Sequence, residues 1–397
     1  MTTRTASTFA PPVMEARRWL DGVSHPADRP LINVSQAAPV DPPPAPLRAA
    51  MAEALELTET HLYGPVLGLP ELRAELAVQW CAHYGGAVAA DEVAITAGCN
   101  QAFAAVITAL CTEGDEVILP SPRHFNHKMW LDMAGVRAVP LSTGPDLLPD
   151  AAAARALITP RTRAIALVTP NNPGGVEYPA ATLRAFADLA AETGLRLIVD
   201  ETYRDFDSRA APPHDLLRDG VGAPLIQLYS FSKAYRLTGH RVGAVIAEAP
   251  LLAEIEKFLD TVAICAPQLG QRAALWGLQN LGPWLAGERA EILDRRAAIA
   301  ENMPKLEAQG WRLLGVGAYF AYLQHPFADS AADLAPRLVR EAGVLALPGT
   351  MFMPAGDDRG ARQFRIAFAN VDRTGIGALF DRLAALDWPL ASPDRPA

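Results

Sequence analysis

The sequence predicts an α/β fold: a mostly parallel, seven-stranded sheet flanked by helices, followed by a smaller α+β C-terminal domain. Three observations carry this. From Val93 onward, short apolar runs alternate with glycine turns and helical patterns: Val93 to Thr96, Glu116 to Leu119, Ala138 to Leu141, Ala164 to Val168, Arg196 to Val199, Leu225 to Tyr229 and Val242 to Ile246. Continuous apolar strands separated by helices belong to parallel sheets covered on both faces. After about Leu281 the texture changes to a long charged helix and two strand-like runs. Finally, 397 residues at 50% hydrophobic composition can bury a large core in two or three domains.

Taken in order, residues 1 to about 14 are polar and proline-bearing and read as a flexible arm. Leu31 to Val34 reads as a short strand, and Asp41-Pro42-Pro43-Pro44 forces extended chain before a helix near Leu47 to Leu57. His61-Leu62-Tyr63-Gly64-Pro65 is a turn, and Glu71 to Tyr84 has the period of an amphipathic helix. Beyond the strand-rich region, a helix from Trp284 to Gln309 should be disturbed at Pro304. Strands over Ala318 to Leu323 and Phe364 to Phe368, with helices near Ala332 to Glu341 and Thr374 to Leu386, complete the chain. The expected division is an arm of residues 1 to 45 packing with the small domain, a large domain of 46 to 285 and a small domain of 286 to 397. No internal repeat is visible.

A net charge of -9 without a basic run argues against nucleic acid or an anionic membrane as partner. The four cysteines, Cys81, Cys99, Cys111 and Cys265, lie far apart and lack metal-ligand spacing, as expected of reduced thiols in a cytoplasmic protein that holds no metal there. The N-terminus lacks a signal-peptide core, and no apolar run is long enough to span a bilayer.

Ligands of parallel sheets sit at the carboxyl ends of strands, and the chemically informative residues cluster there. Ser230-Phe231-Ser232-Lys233 follows one strand, with Arg241 and Gly243 beyond. A lysine amine condenses with a carbonyl when its pKa is depressed, and a nearby cation such as Arg241 depresses it. Ser230 and Arg241 suit a phosphate. Asp200 and Tyr203 end another strand, where a buried carboxylate needs a cation. Thr96-Ala97-Gly98-Cys99-Asn100 joins a strand to a helix, so its backbone amides can meet a phosphate. Val168-Thr169-Pro170-Asn171-Asn172-Pro173-Gly174-Gly175 is a turn, and Arg365 is a charge within the apolar alternating run Gln363 to Phe368.

In this order the segments resemble the class I/II aminotransferases, fold-type-I pyridoxal-phosphate enzymes of the aspartate aminotransferase superfamily, from about Asn33 to about Asn370. The resemblance implies pyridoxal 5'-phosphate as cofactor and Lys233 as its Schiff-base lysine. It implies Asp200 on the pyridinium nitrogen and His127 behind it, Tyr203 and Asn172 on the phenolic oxygen, and Gly98, Cys99, Asn100, Ser230 and Arg241 on the phosphate. Arg365, beside Asn172 and Ala37, would bind the substrate α-carboxylate, although an outward residue on a half-buried strand would show the same pattern. Tyr63 would cross to the partner's phosphate in a homodimer with shared active sites; an ordinary turn tyrosine fits the segment too.

Three departures stand out. His124 occupies the position of the usual aromatic on the cofactor face, where the other reading is a surface-loop histidine. Gly174 replaces a threonine, and Ala37 a glycine. Tyr319, Phe320 and Phe352 are either pocket walls or core. The implied reaction is ping-pong transfer of an amino group from an L-amino acid to a 2-oxo acid. A neutral or apolar donor is expected, because Asp260 to Ala266 holds no second arginine. A β-eliminating or C–S lyase on the same scaffold, and a non-catalytic cofactor-binding sensor, are the alternatives.

Overall fold

Seven strands form the central sheet of the computed structural model, which describes residues 3–210 and 212–391. Residues 1, 2 and 392–397, at the ends of the expected arm and small domain, lie outside the described residues. Ile32–Asn33 is β1. The central strands are β2 (Val93–Thr96), β3 (Glu116–Ser121), β4 (Arg137–Ser142), β5 (Thr162–Val168), β6 (Arg196–Asp200), β7 (Leu225–Ser230) and β8 (Gly243–Ile246). Their spatial order is β2-β8-β7-β6-β5-β3-β4, and β8 runs antiparallel to both its neighbours. The carboxyl ends of β2, β3, β5, β6 and β7 therefore share one edge. Apolar clusters line both faces, one around Trp80, Phe186 and Tyr229, the other around Phe103, Ile107 and Ile255.

A second sheet follows, ordered β12-β13-β10-β9, from β9 (Arg312–Gly317), β10 (Phe320–Gln324), β12 (Leu347–Pro348) and β13 (Gln363–Ala367). The remaining strand, β11 (Val344–Leu345), pairs in parallel with β1. β9 was not expected from the sequence. The Gly282–Glu307 helix, expected to be disturbed at Pro304, runs through it and ends within the next turn, so the missing N–H removes one bond near the helix end. The segment expected as a flexible arm is helical at Arg4–Ser7 and Pro12–Arg18. The second of these helices buries Ala16 with Phe125, Leu345, Leu347 and Phe352 and packs Val13 against them, so apolar burial orders it.

The two sheets meet through backbone. A Cβ on Gly317 would lie 2.2 Å from Gly175 O, and Gly175 itself holds φ at +74°. Only glycine admits this approach. It seats the turn after β5 directly on the β9–β10 hairpin.

Candidate active site

Asp200, the last residue of β6, is buried, and its Oδ2 lies 3.1 Å from His127 Nε2. Its Oδ1 accepts from the Thr202 amide at 3.0 Å. Burial alone would raise this carboxyl, but the His127 hydrogen bond and charge, with Thr202, outweigh it and hold Asp200 below the usual carboxylate range. His127 is fixed in turn by stacking on Phe103, with centroids 3.9 Å apart.

Lys233 lies on the short helix Phe231–Ala234, whose first turn is capped by Ser230 Oγ accepting from Ser232 N at 3.3 Å. Burial first, then Arg241 and Arg365, push the Lys233 amine down to about 8. Arg241 Nη1 donates to Thr238 O at 2.7 Å and to Ser232 Oγ at 3.4 Å. A Cβ on Gly98 would lie 2.2 Å from Arg241 Nη2, and one on Gly243 2.7 Å from the Cys99 amide nitrogen. Glycine at 98 thus lets the guanidinium stand against the N-terminus of the Cys99–Leu110 helix, a combination that suits an anion. Burial and the Asp200 carboxylate push the Cys99 thiol well up, so it stays protonated. Asn100 is exposed, and its Oδ1 accepts from Asn126 at 3.4 Å.

Arg365 is 2% exposed on β13, its guanidinium carbon 5.1 Å from the Phe320 ring centroid and 4.9 Å from that of Phe352. Nη1 donates to Asn172 Oδ1 at 3.1 Å, and Nη2 donates to Ser35 O, two residues before the buried Ala37. Burial pushes it down to about 10, where it is still charged at neutral pH. Asn172 Nδ2 lies 3.0 Å from His124 Nδ1. Burial drives His124 down to about 3, so its ring is neutral and Nδ1 accepts from the amide. Tyr203 is buried against Tyr319 and Phe320, and burial raises its hydroxyl. Among the three aromatics considered as pocket walls, Phe320 and Phe352 flank Arg365, while Tyr319 packs on Phe206 and Tyr203.

Tyr63 stands apart, 79% exposed, and Leu55, Leu57, Leu62, Val262 and Ile264 in the same two segments are exposed as well. The Gly64 amide donates to Cys265 Sγ at 3.5 Å, bringing the segment around Tyr63 beside the one around Val262. No cluster able to hold a metal occurs among the described residues.

Sequence reasoning missed the reverse side of the β6 turn. Glu201 is buried against His214 Nε2 at 3.2 Å and accepts from Gln227, and Arg204 lies 3.5 Å over the Trp80 ring. Asp200 ends β6, so alternation was a signal for Glu201 alone, which as its neighbour turns to the opposite face; Arg204, in the turn beyond the strand, had none.

Residues 29–383 match the family Aminotransferase class I and II. The chain is 34% identical to an arginine–pyruvate transaminase of Pseudomonas aeruginosa, over 79% of this chain and 80% of that protein. It is 30% identical to a valine–pyruvate aminotransferase of Mycobacterium tuberculosis, over 85% and 87%. The Thermus thermophilus aspartate aminotransferase structure with maleate superposes at a TM-score of 0.86 and 26% identity, covering 96% of this chain and 98% of that one. The chain belongs to the class I and II aminotransferases and is a transaminase, moving an amino group between an amino acid and a 2-oxo acid.

Proposed function

We propose that this transaminase works with pyridoxal 5'-phosphate, held through Lys233, and takes a neutral or apolar L-amino acid as donor in a ping-pong cycle. The observation that carries the cofactor is the convergence of three groups. A lysine depressed to about 8 stands near Arg241 at a helix N-terminus and near a buried carboxylate backed by histidine. The donor set fits phosphate, aldehyde and pyridinium in turn. When bound, the cofactor supplies an electron sink for the charge left at the substrate's Cα.

The protein's own groups do the rest. Arg241, Ser230 and the Gly98, Cys99 and Asn100 backbone hold the phosphate. Asp200, kept ionised by His127, holds the ring-nitrogen proton. Asn172 and Tyr203 serve the phenolic oxygen, and neutral His124 covers the ring face. Arg365, with Asn172 and the segment at Ala37, orients the α-carboxylate. Lys233, a free amine near pH 8, takes the proton from Cα. Nothing cationic in Asp260 to Ala266 answers a second carboxylate, which favours the neutral donor.

The exposed apolar face around Tyr63 supports a homodimer with shared sites. Within it Ile264 holds φ at 62°, costly for a β-branched residue unless its surroundings fix it. The separation of the seven-stranded from the four-stranded sheet supports a division into an arm, a large domain to about residue 285 and a small domain. Among the described residues no helix is long and apolar enough to cross a membrane. The four free cysteines support a cytoplasmic location.

The test is an absorption spectrum during titration with a panel of amino acids, wild type beside Lys233→Ala. Donor-dependent loss of the visible cofactor band in wild type, with no turnover in the variant, is expected. A bound cofactor that never converts, or that yields ammonia, would overturn the reading.

A further inference from the structure

Among the described residues, three buried polar atoms of the small sheet lack hydrogen-bond partners: Arg365 Nε, the Tyr322 hydroxyl and Gln363 Oε1. Strand register explains why they gather. Tyr322 on β10 stands directly opposite Arg365 on β13, and Gln363 precedes Arg365 by two residues, so all three side chains leave the same face. Tyr322 is 0% exposed and Gln363 9%. A Cβ on Gly349 would lie 2.7 Å from Gln363 Cβ and 3.0 Å from Tyr322 Oη, so both side chains crowd the space above that glycine. Phe352 walls it, its centroid 6.5 Å from that of Tyr322 and 4.9 Å from the Arg365 guanidinium carbon.

The hydrogen-bonding capacities are complementary. Arg365 Nε only donates, Gln363 Oε1 only accepts, and the tyrosine hydroxyl does both. A buried water commonly makes about three hydrogen bonds to otherwise unsatisfied groups. One such molecule among these three atoms would satisfy them all. It would also fix the edge of the guanidinium. Arg365 has already given one N–H of Nη1 to Asn172 and one of Nη2 to Ser35. With Nε held as well, one N–H remains on each terminal nitrogen, a fork that meets a carboxylate end-on.

We propose that Tyr322 is a positioning residue for Arg365, acting through a water shared with Gln363 to present the end-on fork to the substrate carboxylate. This rests on the reading of Arg365 as the carboxylate site. On this reading Tyr322 acts through Arg365 and not on the reacting atoms, so its removal should weaken carboxylate binding and leave the chemistry alone.

The experiment compares wild type with Tyr322→Phe, Gln363→Leu, the double variant and Arg365→Lys, all as cofactor-loaded enzyme. The readouts are KM for amino acid and oxo acid, kcat, the visible absorption of the bound cofactor, and the affinity of an unreactive monocarboxylate, 4-methylpentanoate. Tyr322→Phe should raise both KM values and weaken the inhibitor by roughly fivefold, as loss of one modest hydrogen bond does. Its kcat and absorption should hold. Gln363→Leu should do the same, and the double variant should add little, because both act on one water. Unchanged KM and inhibitor affinity in Tyr322→Phe, beside a clear rise in Arg365→Lys, would overturn the role of Tyr322 alone. Unchanged KM in Arg365→Lys would overturn the carboxylate reading itself. A fall in kcat with shifted absorption in Tyr322→Phe would place the hydroxyl at the reacting atoms and likewise refute the proposal.

Discussion

Asn172 Oδ1 accepts a hydrogen bond from Arg365 Nη1 at 3.1 Å, linking the turn after β5 to β13 of the second sheet. The same amide reaches His124 on its nitrogen side at 3.0 Å. One side chain thereby sets the spacing between His124 and Arg365. Asn172→Ala should leave a buried cationic donor without its partner and loosen both neighbours. A hydrogen bond to a charged group is worth about 1.5–3 kcal/mol, so KM for the amino acid should rise roughly tenfold to a hundredfold. Steady-state kinetics on both substrates would check this, and an unchanged KM would separate Asn172 from carboxylate binding.

Lys233 makes a prediction about the protein without cofactor. Its folded pKa, about 8, lies below the ordinary lysine value of 10.5, so folding favours the neutral amine. The unfolded chain then binds more protons between those values, and stability rises with pH across that window. Below pH 8 the fold bears the full cost of a buried ammonium. Lys233→Met should therefore melt higher than wild type at pH 7, by about 2 °C. The gap should close as pH approaches 10.5. Differential scanning calorimetry of the two apoproteins at both pH values tests it; a wild type that is the more stable at pH 7 contradicts it.

Much of the site was legible because its residues follow a local rule. Asp200, Ser230 and Gly98 each stand where an apolar strand stops, and strand ends are visible in composition. What stayed hidden depends on contacts between distant segments. β9 was missed because Gly315 and Gly317 interrupt it, yet those glycines exist for the seam. Cβ atoms there would lie 2.5 Å from Gly174 O and 2.2 Å from Gly175 O. The close approach that joins the two sheets thus removes the side chains that would have marked the strand. Glu201, His214 and Gln227 form one buried group from three separate segments, and no spacing in the chain announces it. Tyr322 and Gln363 alternate with apolar neighbours as in any half-buried strand; only their missing partners make them conspicuous.

His124 is pushed down to about 3, chiefly by burial and then by His127. A histidine lowered on folding favours the neutral ring. Its contribution is fully present above the ordinary histidine value of 6.5 and is lost as pH falls toward 3. His124→Phe keeps an aromatic surface without the proton. The melting temperature of wild type should therefore fall further between pH 7 and pH 4 than that of the variant. His83 and His325, both lowered to about 4, act equally in the two proteins and cancel from the comparison. If the two proteins lose stability in parallel, His124 does not hold a neutral ring in the fold.

The apolar face around Tyr63 gives a prediction about assembly. Val262 is 57% exposed and Leu62 58%, and the Gly64 to Cys265 contact holds their segments side by side. Water against such a surface is unfavourable, and a second copy with the same face would remove it while bringing Tyr63 toward the neighbouring phosphate site. A charge at the centre of this face would be buried without a partner on association. Val262→Glu should therefore shift sedimentation from dimer to monomer. Its own fold should survive, because an exposed position tolerates glutamate. Activity should fall with the dimer fraction and recover at high protein concentration. Tyr63→Phe separates the two roles of the face: it should stay dimeric but hold the cofactor more weakly, through loss of one phosphate hydrogen bond. A wild type that sediments as a monomer with full activity would show that each chain completes its own site, and Tyr63 would then have no part in cofactor binding.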